Sequence, residues 1–137
     1  MAHHFDPDTT AALIDVVGHA DCVVGEADTA IAAGSGDLPV LATPAMVALM
    51  EAAACAALSG HLPYALTSVG SHLDIEHLAP SAIGSAVSAQ ARIIGISGSR
   101  VTFEVTATHV WGGEQIEIGR GTHVRVIVDR ERFLHRI

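Results

Sequence analysis

Hydrophobic and polar positions change their period once along this chain. Residues 43–60, TPAMVALMEAAACAALSG, are apolar on every side of a helical wheel, and the only charge among them is Glu51. Thr43 suits a helix N-cap and Pro44 the first helical position. Ala, Leu and Met favour the interior, and Gly60 ends the pattern with Pro63 beyond. A helix apolar all round belongs at the centre of a fold, wrapped by other elements.

After that helix the period falls to two. LTSVGSHLDIEHL (residues 66–78) puts Val69, Leu73 and Ile75 on one face and Ser68, His72, Asp74 and Glu76 on the other. SRVTFEVTATHVW (99–111) sets Val101, Phe103, Val105 and Ala107 against Thr102, Glu104, Thr106 and Thr108. GSAVSAQARIIGIS (84–97) and QIEIGRGTHVRVIVD (115–129) also read as long strands. GISGS and WGGEQ read as hairpin connections. Before the helix, VVGHADCVVGEAD (16–28) holds short strand pieces, and AIAAGSGDLPVLA (30–42) is a small, Gly-rich loop or lid. Residues 1–14 read as a loose or helical leader and DRERFLHRI as a short polar tail with one helical turn. The prediction is one α+β domain over residues 1–137, a strongly curved antiparallel sheet around one central apolar helix.

Composition narrows this picture. With 137 residues, 50% of them apolar, the chain supports its own core. Aromatics are 4%, so Ala, Val, Ile and Leu must fill that core. A net charge of −8 and no lysine argue against a nucleic-acid partner. Any anion must be met by arginines, with Arg92, Arg100, Arg120 and Arg125 as candidates, or by backbone N–H groups. No stretch reaches the roughly 20 apolar residues of a membrane span, and the start shows no hydrophobic secretion signal. Cys22 and Cys55 lack metal-ligand spacing and read as reduced, mostly buried thiols of a cytoplasmic protein. His3 and His4 are a terminal pair, and His72 and His77 are five apart, so no metal site is expected.

Chemistry then concentrates on few residues. A carboxylate inside an apolar helix needs partners, water or a function, which marks Glu51. His77 shares the parity of the inward strand face, and imidazole titrates near neutral pH. Gly70 sits inside a strand pattern, where glycine marks a bulge or a close backbone approach. Thr43 has the capping role as its simplest account. With the helix starting at Pro44, Thr43 and Glu51 stand roughly 12 Å apart along the axis. His123 either lines a pocket or faces water.

Three stretches, LATPAMVALMEAAACAAL (41–58), TSVGSHLDIEHLAPSAIG (67–84) and IGRGTHVRVIVD (118–129), resemble the fluoroacetyl-CoA thioesterase-like family of hotdog-fold acyl-CoA thioesterases. The resemblance implies a hotdog fold, a homodimer with sites near its interface, and hydrolysis of a small or medium acyl-CoA. It implies that Glu51 attacks the thioester or activates water, and that His77 handles protons. Thr43 then hydrogen-bonds the substrate or a catalytic partner, and the Gly70 N–H helps hold the carbonyl oxygen. No metal or redox cofactor is needed for a thioester, which is already activated. Fluoroacetyl-specific members resemble one another in aromatic lid residues, and residues 30–42 here contain none. The same fold and an acid–histidine pair would also serve an acyl-CoA hydratase or dehydratase, and the fold alone would serve a non-catalytic acyl-CoA or small-ligand binding module.

Overall fold

The computed structural model describes residues 5–137. Its elements run α1 (Pro7–Leu13), β1 (Val17–Val23), a short 3-10 turn (Glu26–Asp28), α2 (Ala30–Ala33) and α3 (Thr43–Leu58). The period-two region follows as β2 (Leu66–His77), β3 (Ala86–Ser97), β4 (Arg100–Trp111) and β5 (Glu114–Asp129), closed by α4 (Arg130–Leu134). Both expected hairpins form. Gly112 and Gly113 join β4 to β5 with φ of +59° and +80°, the positive pair that a tight hairpin matched to strand twist requires.

The five strands form one antiparallel sheet in the order β1-β3-β4-β5-β2. Period two buries every second residue of the central strands: Val87, Ala89, Ala91 and Ile93 on β3, and Val101, Phe103, Val105 and Ala107 on β4. These meet Met46, Met50, Ala53, Ala54 and Ala57 of α3 in one hydrophobic core. Small residues let backbones approach closely. A Cβ on Gly18 of β1 would collide with the backbone of Ala53 and Ala57, so glycine there sets how near β1 lies to the helix.

Two expectations about α3 change. Ala42, not Thr43, occupies the N-cap position, and no side chain caps the helix. The helix is also not wrapped on every side: Pro44, Ala48, Ala52, Cys55 and Ala56 form an exposed, apolar stripe. Cys55 is therefore exposed and Cys22 half-buried, rather than mostly buried; both thiols are free.

The leader is helical where it is described, and Leu13 is buried in the core. His3 and His4 lie outside the described residues. Residues 30–42 fold as the short helix α2, N-capped by the Thr29 hydroxyl, and an irregular return. Isolated bridges Thr29–Leu41 and Val40–Ala82 clamp that return. No helix among the described residues is long and apolar enough to cross a membrane.

Candidate active site

Polar side chains gather in two clusters beside α3. The first is at its N-terminal end. Because Thr43 does not cap the helix, its hydroxyl is available elsewhere, and its Oγ1 lies 2.8 Å from His77 Nδ1. His77 pairs with Gly119, where an added Cβ would sit 2.5 Å from the Met46 sulfur of α3. That register position faces the helix, as alternation predicted for His77. The imidazole Nε2 is buried with no hydrogen-bond partner among the described residues. A buried polar atom without a partner costs about 1–3 kcal/mol. Burial pushes His77 below its ordinary pKa, which keeps the ring neutral at neutral pH. The pair opens on a cleft of about 270 Å³ roofed by Ala30, Val40 and Leu41.

The second cluster surrounds Glu51, about two helical turns further on. Glu51 Oε2 accepts a hydrogen bond from Arg125 Nη1 at 3.0 Å. Arg125 also donates from Nε to the Ser68 hydroxyl at 2.8 Å and from Nη2 to the Ser68 carbonyl at 3.1 Å. The guanidinium is thus locked by β2 while it grips the carboxylate. His123 completes the group. Its Nδ1 is 2.8 Å from the carbonyl oxygen of His72, which only accepts, so Nδ1 carries the proton. Its Nε2 is then the acceptor of a 3.2 Å bond from Arg125 Nη1. Burial, the largest influence, pushes the His123 pKa down, and the neutral ring stacks on Phe103. The Arg125 side chain is 9% exposed and that of Glu51 37%. Glu51 is therefore a carboxylate with one oxygen fixed from below and the other, Oε1, making no hydrogen bond among the described residues.

Gly70 makes this placement possible. Its missing Cβ would lie 2.6 Å from Glu51 Oε2. The strand bulges immediately afterwards: Gly70 pairs with Arg125 and His72 with Val124, leaving Ser71 between them. An extra residue flips the side-chain alternation. Ser68 and Gly70 therefore face α3 together with Leu73, Ile75 and His77, and Val69 does not share their face as strict alternation predicted.

Of the four residues singled out, one chain pairs Thr43 with His77 and Glu51 with Gly70. It does not bring Glu51 to His77 or Thr43; eight helical residues separate Thr43 from Glu51, about 12 Å. The sequence reading missed the partner of Glu51. Arg125 was a candidate for CoA phosphates, but it is buried beneath the carboxylate. His123, for which a solvent-facing position was equally acceptable, is fully buried. Alternation sets Val124, Val126 and Val128 on one face and His123, Arg125 and Ile127 on the other, so a period of two points the valines inward and His123 with Arg125 outward, whereas both faces are largely buried here. Arg92 is held by Asp15 and Glu104 on the surface; Arg100 and Arg120 remain exposed.

Residues 24–131 match the family described as fluoroacetyl-CoA-specific thioesterase. A fluoroacetyl-CoA thioesterase of Streptantibioticus cattleyicolor is 34% identical over 94 residues, 69% of this chain and 65% of that protein. The chain thus spans just under two thirds of that relative's length. A solved structure of a fluoroacetyl-CoA thioesterase, a point variant in complex with acetyl-CoA, matches with a TM-score of 0.81 at 27% identity, covering 90% of this chain and 94% of that one. A hot-dog-like protein from Thermanaerovibrio acidaminovorans shares the fold, with a TM-score of 0.80 at 22% identity over 91% of each chain.

Proposed function

The chain belongs to the fluoroacetyl-CoA-specific thioesterase family, and from that premise we propose that it hydrolyses an acyl-CoA thioester to the free acid and CoA. The observation that carries this reading is Glu51: a carboxylate on an apolar helix, gripped through Oε2 by a buried arginine, with Oε1 uncommitted. Oε1 attacks the thioester carbonyl, the C–S bond breaks, and a mixed anhydride forms while the thiolate leaves as CoA. Water then cleaves the anhydride and restores the carboxylate. In the closely related route Glu51 instead takes a proton from the attacking water. His77, neutral and tied to Thr43, gives and takes the protons. The backbone at Gly70 lies beside the reacting carboxylate, where an N–H would meet the developing oxyanion. No metal or redox cofactor takes part. The lid has no aromatic residue, so the enzyme does not select a fluorinated acyl group.

We also propose a homodimer in which Glu51 of one protomer works with His77 of its partner. Supporting this are the distance between the two clusters in one chain, the free edge of β2, whose residues 70–74 are exposed, and the exposed apolar stripe of α3. An unpaired strand edge and an uncovered apolar face are both relieved by a second copy. The cytoplasm is the compartment this reading fits, since both thiols are free.

The test is hydrolysis of an acyl-CoA panel, followed by free thiol, for the wild type, Glu51→Gln and His77→Ala. Loss in both variants supports the assignment; wild-type rates in Glu51→Gln overturn it. Mixing the two inactive variants then restores activity only if each site draws on both protomers. Single-turnover hydrolysis in ¹⁸O-labelled water tests the anhydride route, because label enters Glu51 only when water opens an anhydride at the Glu51 carbonyl.

A further inference from the structure

A second cleft adjoins the His77–Thr43 cleft. The two share Val40, Ala79 and Pro80 as a common wall. The second has a volume of about 390 Å³ and continues over Ala82 and Ile116 to Trp111, at the tip of the β4–β5 hairpin. Its chemistry is one-sided. Apart from the indole N–H of Trp111, only Ser85 and His109 contribute polar side-chain groups, and His109 Nδ1 is already tied to the buried Ser81 hydroxyl at 2.6 Å. Trp111 is 68% exposed and Val110 beside it 61%. A large aromatic ring held open at the rim of a hydrocarbon-lined cleft is the usual make-up of a site for an apolar ligand.

From this continuity we propose that the cleft receives the hydrocarbon tail of a medium-chain acyl group whose thioester carbonyl sits beside His77. The inference rests on the thioesterase reading and adds the substrate class to it. Ala79 and Pro80 follow His77 by two and three residues, about 7–10 Å of extended chain, so a tail leaving the carbonyl reaches the shared wall and then Trp111. A pantetheine arm, with its amides and hydroxyl, would find too few partners on these walls. An acetyl group would be too short to arrive there. Trp111 and Ala82 are then specificity-determining positions, separate from the reacting groups.

Trp111 is the only tryptophan of the chain, so its emission reports the cleft directly and independently of turnover. Titration with octanoyl-CoA, excited selectively at the indole, should move the emission to shorter wavelength and saturate, and acetyl-CoA should leave it in place. Ala82, exposed on the cleft wall, can be enlarged without disturbing the core. Ala82→Phe should abolish the shift and lower the octanoyl-to-acetyl ratio of kcat/KM about tenfold, as losing a hydrophobic subsite does. Three results overturn the inference: an emission that octanoyl-CoA leaves unmoved, a shift of equal size with acetyl-CoA, or an unchanged chain-length ratio in Ala82→Phe. An emission already shielded in the ligand-free protein assigns the cleft to a protein contact and likewise overturns it. If no acyl-CoA is turned over, the thioesterase reading fails, while the emission titration still decides the cleft.

Discussion

Gly70→Ala is the sharpest probe of how this site is built. The added Cβ would lie 2.6 Å from Glu51 Oε2, where ordinary van der Waals contact begins at 3.4 Å. The carboxylate must therefore retreat by about 0.8 Å, a misplacement of the size that costs on the order of 10²-fold in rate. The same movement strains the 3.0 Å bond to Arg125. Stability moves little. Gly70 is not among the positive-φ glycines, so alanine fits the local backbone, and the more restricted unfolded chain contributes about 0.4–1 kcal/mol of stabilisation. That gain offsets part of the loss around the carboxylate. Turnover and thermal unfolding, measured on the same preparation, should thus separate: kcat falls about 100-fold while Tm stays near the wild type. A Gly70→Ala enzyme with wild-type kcat would refute the reasoning, because the position of Glu51 would then not matter. A large fall in Tm would refute its structural half.

The remaining expectations follow from individual contacts. Thr43→Ala should lower kcat with little change in stability, well short of the ~1 kcal/mol that loss of an N-cap costs, since Ala42 holds that position; denaturant titration beside kinetics reads both. Arg125→Lys keeps the charge but not the three-way grip on Glu51 and Ser68, so hydrolysis should fall although charge is conserved; wild-type rates in this variant would exclude a role for the guanidinium geometry. His77 and His123 are both held below the ordinary imidazole value of 6.5. The unfolded chain then binds more protons than the folded one, so their contribution is full above about pH 6.5 and is lost as pH falls below it. Chemical denaturation across pH 7.5 to 5 should show that decline, and His77→Asn should flatten it.

Much of this protein follows from local pattern. The helix formers of residues 43–58 and the period of two afterwards depend only on local propensity and on side-chain direction along a strand, and they suffice for one helix on a curved antiparallel sheet of long strands. The glycine pair at 112–113 dictated its own turn. Glu51 stood out because a charge in an apolar run is costly wherever it lies, and His77 because strict alternation holds from Leu73 to the end of β2. The tertiary structure decided what these residues touch. One extra residue at Ser71 reversed the alternation upstream and turned Ser68 inward, which no two-residue period can register. The grip of Arg125 on Glu51 spans 74 positions and exists only because β5 lies next to β2, a pairing between strands distant in order. The helix start shifted by a single residue, and that alone converted the Thr43 hydroxyl from a cap into a partner for His77. Periodicity fixes which way a side chain points; register and strand order, set by the packing of the whole chain, fix what it meets.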